Sequence, residues 1–424
     1  MDSSSGLVKR QITPTILERL RASPVVLLEG PRSVGKTTLL RELARTLDGE
    51  VVDLDHPGVR QAISASPSAI AGRGRLVCID EYQRVPAVLD TIKAQLNESS
   101  APGQFLLAGS TRHAGLPPGA QALTGRLIRT VILPLAQCEL EGTAPGLVGK
   151  LFRGAKEARR DAGTAGTSRT GYAERVIRGG FPLALARQGA AERADWFESY
   201  IDLTLDRDIK ELGRLRRGWA LPELVRLLSS QTAGVLDVAR AAAALGLKKD
   251  TALEYVRALE NAFLISRLPA WRTARVPRAQ ARPKVQFVDS GVAAHCMGLS
   301  AAALGALDPG ALTAFGPLFE TFAVGEVTKQ VAWTRGTRVA GHWRFNQQVE
   351  VDLVLEDMAG RVVAFEVKAA SSLGPRAFAG LRRLRDALGD TFAAGVVLYT
   401  GPMPFTKEDR LVALPLDALW TQPA

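Results

Sequence analysis

The stretch Gly30-Pro31-Arg32-Ser33-Val34-Gly35-Lys36-Thr37 restricts what this chain can fold into more than any other feature. It follows the apolar run Val25-Val26-Leu27-Leu28 and opens a helical run that continues through Thr38-Leu39-Leu40-Arg41-Glu42-Leu43. A Gly-x-x-x-x-Gly-Lys-Thr segment between a buried strand and a helix is a phosphate cradle. Its glycines let backbone N–H groups wrap an anion, and the helix N-terminus adds a favourable dipole. The spacing therefore predicts ATP and Mg²⁺ as cofactors, with Gly30 through Thr37 and the adjoining Thr38 around the nucleotide. Lys36 is expected to reach the β- and γ-phosphates, and the Thr37 hydroxyl to ligate Mg²⁺.

From Val25 to about Leu135, short apolar runs alternate with helical stretches. Val25–Leu28, Val51–Leu54, Leu76–Ile79, Phe105–Ala108 and Thr130–Leu133 read as buried strands. The recurring strand–helix order predicts an α/β fold with a doubly wound parallel sheet. Asp80-Glu81 ends the third run, so Asp80 is expected to hold the metal through water and Glu81 to act as general base. The fourth run ends in Gly109-Ser110-Thr111-Arg112, which offers Ser110 as a polar group between the attacking water and the γ-phosphate. Arg126, in Leu123-Thr124-Gly125-Arg126, or Arg112 is a candidate arginine finger. A finger supplied by a neighbouring subunit implies a homo-oligomer, plausibly a ring.

Taken together, Gly30–Thr37, Ile79-Asp80-Glu81, the Gly-Ser-Thr-Arg tip, Leu123–Arg126 and Gly179-Gly180-Phe181-Pro182 resemble the AAA-type ATPases of bacteria and archaea that carry a C-terminal domain of unknown function. The similarity spans nearly the whole chain. It implies an ATPase core over residues 1–150 and a helical lid over 171–217, from which Arg178 would contact the nucleotide. A Gly-, Ala-, Arg- and Thr-rich segment from Gly154 to Gly171 reads as a loop or linker between them.

A further unit is expected over 218–290. One short helix begins at Gly234–Ala239 and ends at Leu245-Gly246-Leu247; a second runs from about Asp250 to Phe263, with Leu253, Val256 and Leu259 on its buried stripe. Two helices joined by a Gly-containing turn read as a helix-turn-helix, and Leu264–Leu268 with Val285–Val288 as the strands of a wing. Winged helices recur in the family that the chain resembles. Arg272, Arg275, Arg278, Arg282 and Lys284 lie between those strands with no acid among them, and Lys248 and Lys249 start the second helix. These cations suit phosphate contacts with DNA. The formal net charge of +11 points the same way. A solvated basic loop on a protein-interaction module is the alternative.

Residues 291–424 read as a third α/β unit. Glu350 and Asp352 alternate with Val349, Val351, Leu353 and Leu355, so the strand is expected to carry one acidic and one apolar face. After a turn at Asp357 and Gly360, Glu366 and Lys368 share a face of the next strand. Pairing of the strands would bring Asp352, Glu366 and Lys368 together, with Glu320 from an upstream helix as a further ligand for Mg²⁺. The pattern resembles the restriction-endonuclease-like fold, which implies either a nuclease centre or a binding scaffold that has lost cleavage.

The three cysteines and four histidines lack metal-ligand spacing. No apolar run reaches the ~20 residues that a membrane helix needs, and the first residues do not form a secretory signal. A cytoplasmic protein without a membrane partner is expected. Three activities fit: an ATP-driven oligomer that translocates along or remodels DNA, an ATP-gated Mg²⁺-dependent nuclease, and a nucleotide-dependent switch or scaffold with a protein partner.

Overall fold

The computed structural model describes residues 7–71, 74–110, 123–209, 219–272, 282–305, 308–346 and 349–421. The chain divides into two compact units. Arg10–Pro134 with Ala258–Leu264 form the smaller, and Leu135–Arg257 with Ile265–Ala424 make up most of the larger.

In the smaller unit, β1 (Val25–Glu29), β2 (Glu50–Asp53), β3 (Val77–Asp80), β4 (Phe105–Gly109) and β5 (Leu127–Val131) form one parallel sheet in the order β2-β3-β4-β1-β5. β1, β3 and β4 are buried along their whole length, which is why their apolar runs are unbroken. Helices Lys36–Thr46 and Val88–Glu98 bury Leu39, Leu40 and Leu43, and Leu89, Ile92 and Leu96. Parallel strands align all their C-terminal ends along one edge. Since β4 lies between β1 and β3, Ser110 emerges between the phosphate loop and Asp80.

The fifth strand departs from expectation. It starts at Leu127, opposite Val25, and not at Thr130. As an edge strand it is only partly buried, with Arg129 and Val131 exposed, so its apolar signal is weak. Buried Ile132 lies just past its end and backs the phosphate loop.

The larger unit contains a mixed sheet of β8 (Thr337–Arg344), β9 (Glu350–Asp357), β10 (Val362–Lys368), β11 (Phe392–Tyr399), β12 (Phe405–Glu408) and β13 (Leu411–Pro415). Its order is β12-β13-β11-β10-β9-β8, with β10, β11 and β13 mutually parallel and the rest antiparallel. Helices Pro309–Trp333 and Ala379–Leu388 both pack on it. Leu381, Leu384 and Leu388 join Val351, Val354 and Phe392 in one apolar core. β9 is consequently buried from Val351 through Leu355, Asp352 included. On the face expected to be acidic, Asp352 therefore lies inside the protein, while Glu350 is half-buried.

Upstream in the same chain, helices Val238–Ala244 and Lys249–Asn261 are joined by a turn in which Gly246 is left-handed (φ 61°). An antiparallel pair follows, β6 (Ile265–Leu268) with β7 (Lys284–Phe287). In helix Lys249–Asn261 the buried positions are Ala252, Tyr255, Val256, Leu259 and Glu260, while Leu253 is half-buried. Helices Arg169–Arg178, Pro182–Leu185 and Ala190–Leu203 precede them.

The Gly154–Gly171 segment is not a free linker. It contains the helix Ala155–Arg160, and the Gly166 and Thr167 N–H groups donate to Asp417 Oδ2 at 3.0 and 2.9 Å. Among the described residues no helix is long and apolar enough to cross a membrane.

Candidate functional site

The phosphate loop is closely enclosed. A Cβ on Gly30 would fall 2.1 Å from the Ile132 carbonyl oxygen, and Gly35 is left-handed at φ 92°, so both positions favour glycine. Lys36 curls back and donates from Nζ to the carbonyls of Gly30 (2.9 Å) and Pro31 (2.6 Å). Arg10 braces the loop, donating to the Val34 carbonyl at 2.8 Å and the Leu133 carbonyl at 2.7 Å. Its position before helix Thr13–Ala22 carries no motif, so sequence reasoning passed over it.

At the same sheet edge the Thr37 hydroxyl hydrogen-bonds the buried Asp80 carboxylate. Burial raises the pKa of Asp80, and Thr37 and Lys36 oppose that rise. Burial also raises Glu81, against the pull of Arg32 and Lys36. Glu81 itself is left-handed (φ 51°), a conformation that costs a non-glycine residue about 1–3 kcal/mol.

That backbone aims the Glu81 carboxylate at two donors. Gln83 Nε2 donates to Glu81 Oε2 at 2.6 Å, and Ser110 Oγ contacts the same oxygen at 3.4 Å. Gln83 Nε2 also lies 3.2 Å from Ser110 Oγ, which closes the triangle. A Cβ on Gly109 would sit 2.6 Å from Tyr82 Cε1 and 2.8 Å from Gln83 Oε1, so only glycine fits beneath it. Gln83 was not anticipated from the sequence. The structure thus brings Lys36, Thr37, Asp80, Glu81 and Ser110 to one edge of the sheet. Thr38 follows on the same helix.

The other nucleotide candidates are three arginines. Arg126 precedes β5, at the opposite sheet edge from the phosphate loop. Its carbonyl accepts from the Val25 N–H (3.3 Å), and its guanidinium donates to Asn97 Oδ1 (2.8 Å). Arg178 closes helix Arg169–Arg178 in the larger unit. Arg112 lies outside the described residues.

The C-terminal acids assemble differently from the metal centre expected of them. Lys284, at the start of β7, donates from Nζ to Glu320 Oε1 at 2.7 Å and Asp352 Oδ1 at 2.8 Å. Asp352 Oδ2 accepts from the Val367 N–H at 2.9 Å. Lys368 Nζ is 2.6 Å from Glu366 Oε1, while Glu366 Oε2 is buried without a hydrogen-bond partner. Burial works against the charge of Lys284, yet Asp352 and Glu320 hold its pKa above the ordinary lysine value. Burial pushes Glu320 up, with Asp352 adding to the rise; Asp352 stays below the usual range because Lys284 outweighs its burial. Burial and Asp352 raise Glu366 well above its usual value.

As these residues stand, a divalent cation does not fit among Glu320, Asp352 and Glu366. Two of the three carboxylates already share an ammonium, and the third pairs with Lys368. Among the described residues, no group of three or more His, Cys, Asp or Glu side chains is arranged to hold a metal ion.

Lys284 also falls out of the basic set read as a DNA contact, because its side chain is only 3% exposed and fully engaged with acids. It follows a run of arginines in sequence, but lies in a strand that carries it into the interior. Lys248, Lys249 and Arg272 are exposed. Arg282 is exposed too and pairs with Asp237 at 2.6 Å. Arg275 and Arg278 lie outside the described residues.

Comparison with known families matches residues 22–141 to an AAA domain, 169–303 to a domain of unknown function (DUF8612) and 315–419 to another (DUF4143). Uncharacterized proteins of Mycobacterium tuberculosis and Mycobacterium bovis are each 27% identical, over 99% of this chain and 86% of theirs. Among solved structures, a RuvB variant of Thermotoga maritima aligns with 61% of this chain and 89% of its own, at 19% identity and a TM-score of 0.24. The DNA clamp loader delta protein of Bacillus subtilis aligns with 58% and 87%, at 15% identity and a TM-score of 0.24. The phosphate loop, Asp80, Glu81 and the AAA-domain match coincide in one sheet, and the chain carries an AAA domain followed by two segments that match domains of unknown function.

Proposed function

We propose that this protein hydrolyses ATP and uses the cycle to act on DNA as a homo-oligomer. The observation that carries the hydrolytic part is the meeting of Thr37, Asp80, Glu81, Gln83 and Ser110 beside the phosphate loop. In this reading Lys36 exchanges the Gly30 and Pro31 carbonyls for the nucleotide's terminal phosphates, and the loop N–H groups hold the chain of phosphates in line. Thr37 and Asp80 would hold Mg²⁺, directly and through water. Bound there, the ion would neutralise charge building on the phosphate oxygens. Glu81 takes a proton from the attacking water. Ser110 and Gln83 fix the carboxylate and, through it, the water.

Arg126 faces away from its own phosphate loop, so a finger role for it requires a neighbouring subunit. Arg178 is assigned the lid contact on the family resemblance alone. DNA action is supported by the net charge and by the exposed Lys248, Lys249 and Arg272. We read the helices Val238–Ala244 and Lys249–Asn261, with β6 and β7, as a winged helix that presents these cations to phosphates.

The C-terminal sheet we read as a restriction-endonuclease-like scaffold. Lys284 between Glu320 and Asp352 favours the scaffold reading over the ATP-gated nuclease. ATP hydrolysis measured with and without single-stranded, duplex and branched DNA tests the proposal, with Lys36→Ala as control. Stimulation by one DNA structure supports it. DNA-independent turnover with no DNA binding at low salt would leave a nucleotide-dependent switch in its place.

A further inference from the structure

The acidic centre of the larger unit has the residue types of a metal site and the contacts of something else. Lys284 Nζ sits 2.7 Å from Glu320 Oε1 and 2.8 Å from Asp352 Oδ1, with its side chain and that of Asp352 each 3% exposed. A bridging cation would have to stand between these same oxygens. The ammonium arrives on β7, which is held on both sides. Leu268 pairs with Lys284 across β6–β7, and Val235 forms a bridge to Lys284 from the opposite side. The Leu236 N–H donates to the Pro283 carbonyl at 2.8 Å, so the stem of Lys284 is fixed before its side chain enters the cluster.

We propose that Lys284 is a built-in replacement for a divalent cation, and that Glu320, Asp352 and Lys284 form a metal-free ionic clasp fastening β7 to β9 and to helix Pro309–Trp333. Two further observations fit. Asp352 Oδ2 accepts from the Val367 N–H, so with Lys284 on Oδ1 both oxygens of that carboxylate already have a protein partner. Glu366, the remaining acid, is tied to Lys368 at 2.6 Å. A buried ammonium shared by carboxylates on two other elements is costly to break from one side, because the partners left behind are charged and dry. The clasp thus joins β7, of the β6–β7 hairpin, to the C-terminal sheet, and it makes the centre a joint.

Mn²⁺ is the probe, titrated into the full chain without nucleotide and followed by electron paramagnetic resonance. An Asp80→Asn background removes the cation contribution of the ATPase site. The expected result is no saturable Mn²⁺ binding below 1 mM (about the weak limit of protein sites for hard cations). Replacing the ammonium, Lys284→Met, then creates a site that binds at least about tenfold more tightly, and adding Asp352→Asn abolishes it. Saturable binding by the Asp80→Asn chain that Asp352→Asn removes would overturn the proposal, as would a folded Lys284→Met chain that gains no site. Should Lys284→Met fail to fold, the titration of the Asp80→Asn chain and its Asp352→Asn derivative still decides between the two. Mg²⁺- or Mn²⁺-dependent DNA cleavage lost in Asp352→Asn would also refute it.

Discussion

Gln83 shows what a linear motif leaves out. The phosphate loop was legible because its residues are contiguous and their spacing is fixed by the geometry of one strand and one helix. Asp80, Glu81 and Ser110 could be placed because each ends an apolar run. Gln83 and Arg10 belong to no run, and only the folded sheet edge brings them to the loop and the carboxylate. Gln83 donates to both Glu81 and Ser110, and so controls where the strained Glu81 side chain points. Gln83→Ala is therefore expected to leave nucleotide affinity nearly unchanged while lowering kcat, by up to about 10²-fold. Fluorescent-nucleotide binding alongside steady-state hydrolysis separates the two effects. Equal loss of binding and turnover would mean that Gln83 supports the loop and not the carboxylate.

Among elements, buried parallel strands were readable and edges were not. β1, β3 and β4 announce themselves by unbroken apolar sequence; β5 does not, because an edge strand of the sheet needs little apolar surface. β7 misleads in another way. Its first residue continues a basic run that looks solvated, and the carboxylates that bury it come from a helix and a strand far along the chain. β8 carries a related group. His342 is fully buried, with Nε2 3.2 Å from the Arg282 carbonyl oxygen and Nδ1 unpartnered. Burial first and Lys284 second, with Arg344 adding and Asp352 opposing, pull its pKa down to about 4 from 6.5. The unfolded chain thus takes the proton before the folded one does. Stability that is complete above pH 6.5 is lost as pH falls toward about 4, by up to ~3 kcal/mol. Thermal melts between pH 7 and pH 4.5 are expected to show a steeper decline for the native chain than for His342→Gln. Parallel declines would place the acid sensitivity in other groups.

For the whole molecule, the formal net charge of +11 raises the question of which exposed cations could meet a polyanion. Lys284 is withdrawn from the basic set by its buried acids, and Arg282 is partly neutralised by Asp237. Lys248, Lys249 and Arg272, of the same set, are exposed. Phosphate contacts release counterions, so their number sets how steeply DNA affinity falls with salt. A Lys248→Glu/Lys249→Glu chain is expected to bind duplex DNA more weakly at every salt concentration, with a log–log salt slope shallower by about 2. Its DNA-free hydrolysis should match the parent, because both lysines lie outside the phosphate-loop machinery. An unchanged slope together with unchanged affinity would mean that this helix start faces a protein, and that the net charge serves solubility and not DNA. Loss of DNA-stimulated turnover with intact basal turnover would instead tie the two halves of the proposal together, since the signal that speeds hydrolysis would then enter through these cations.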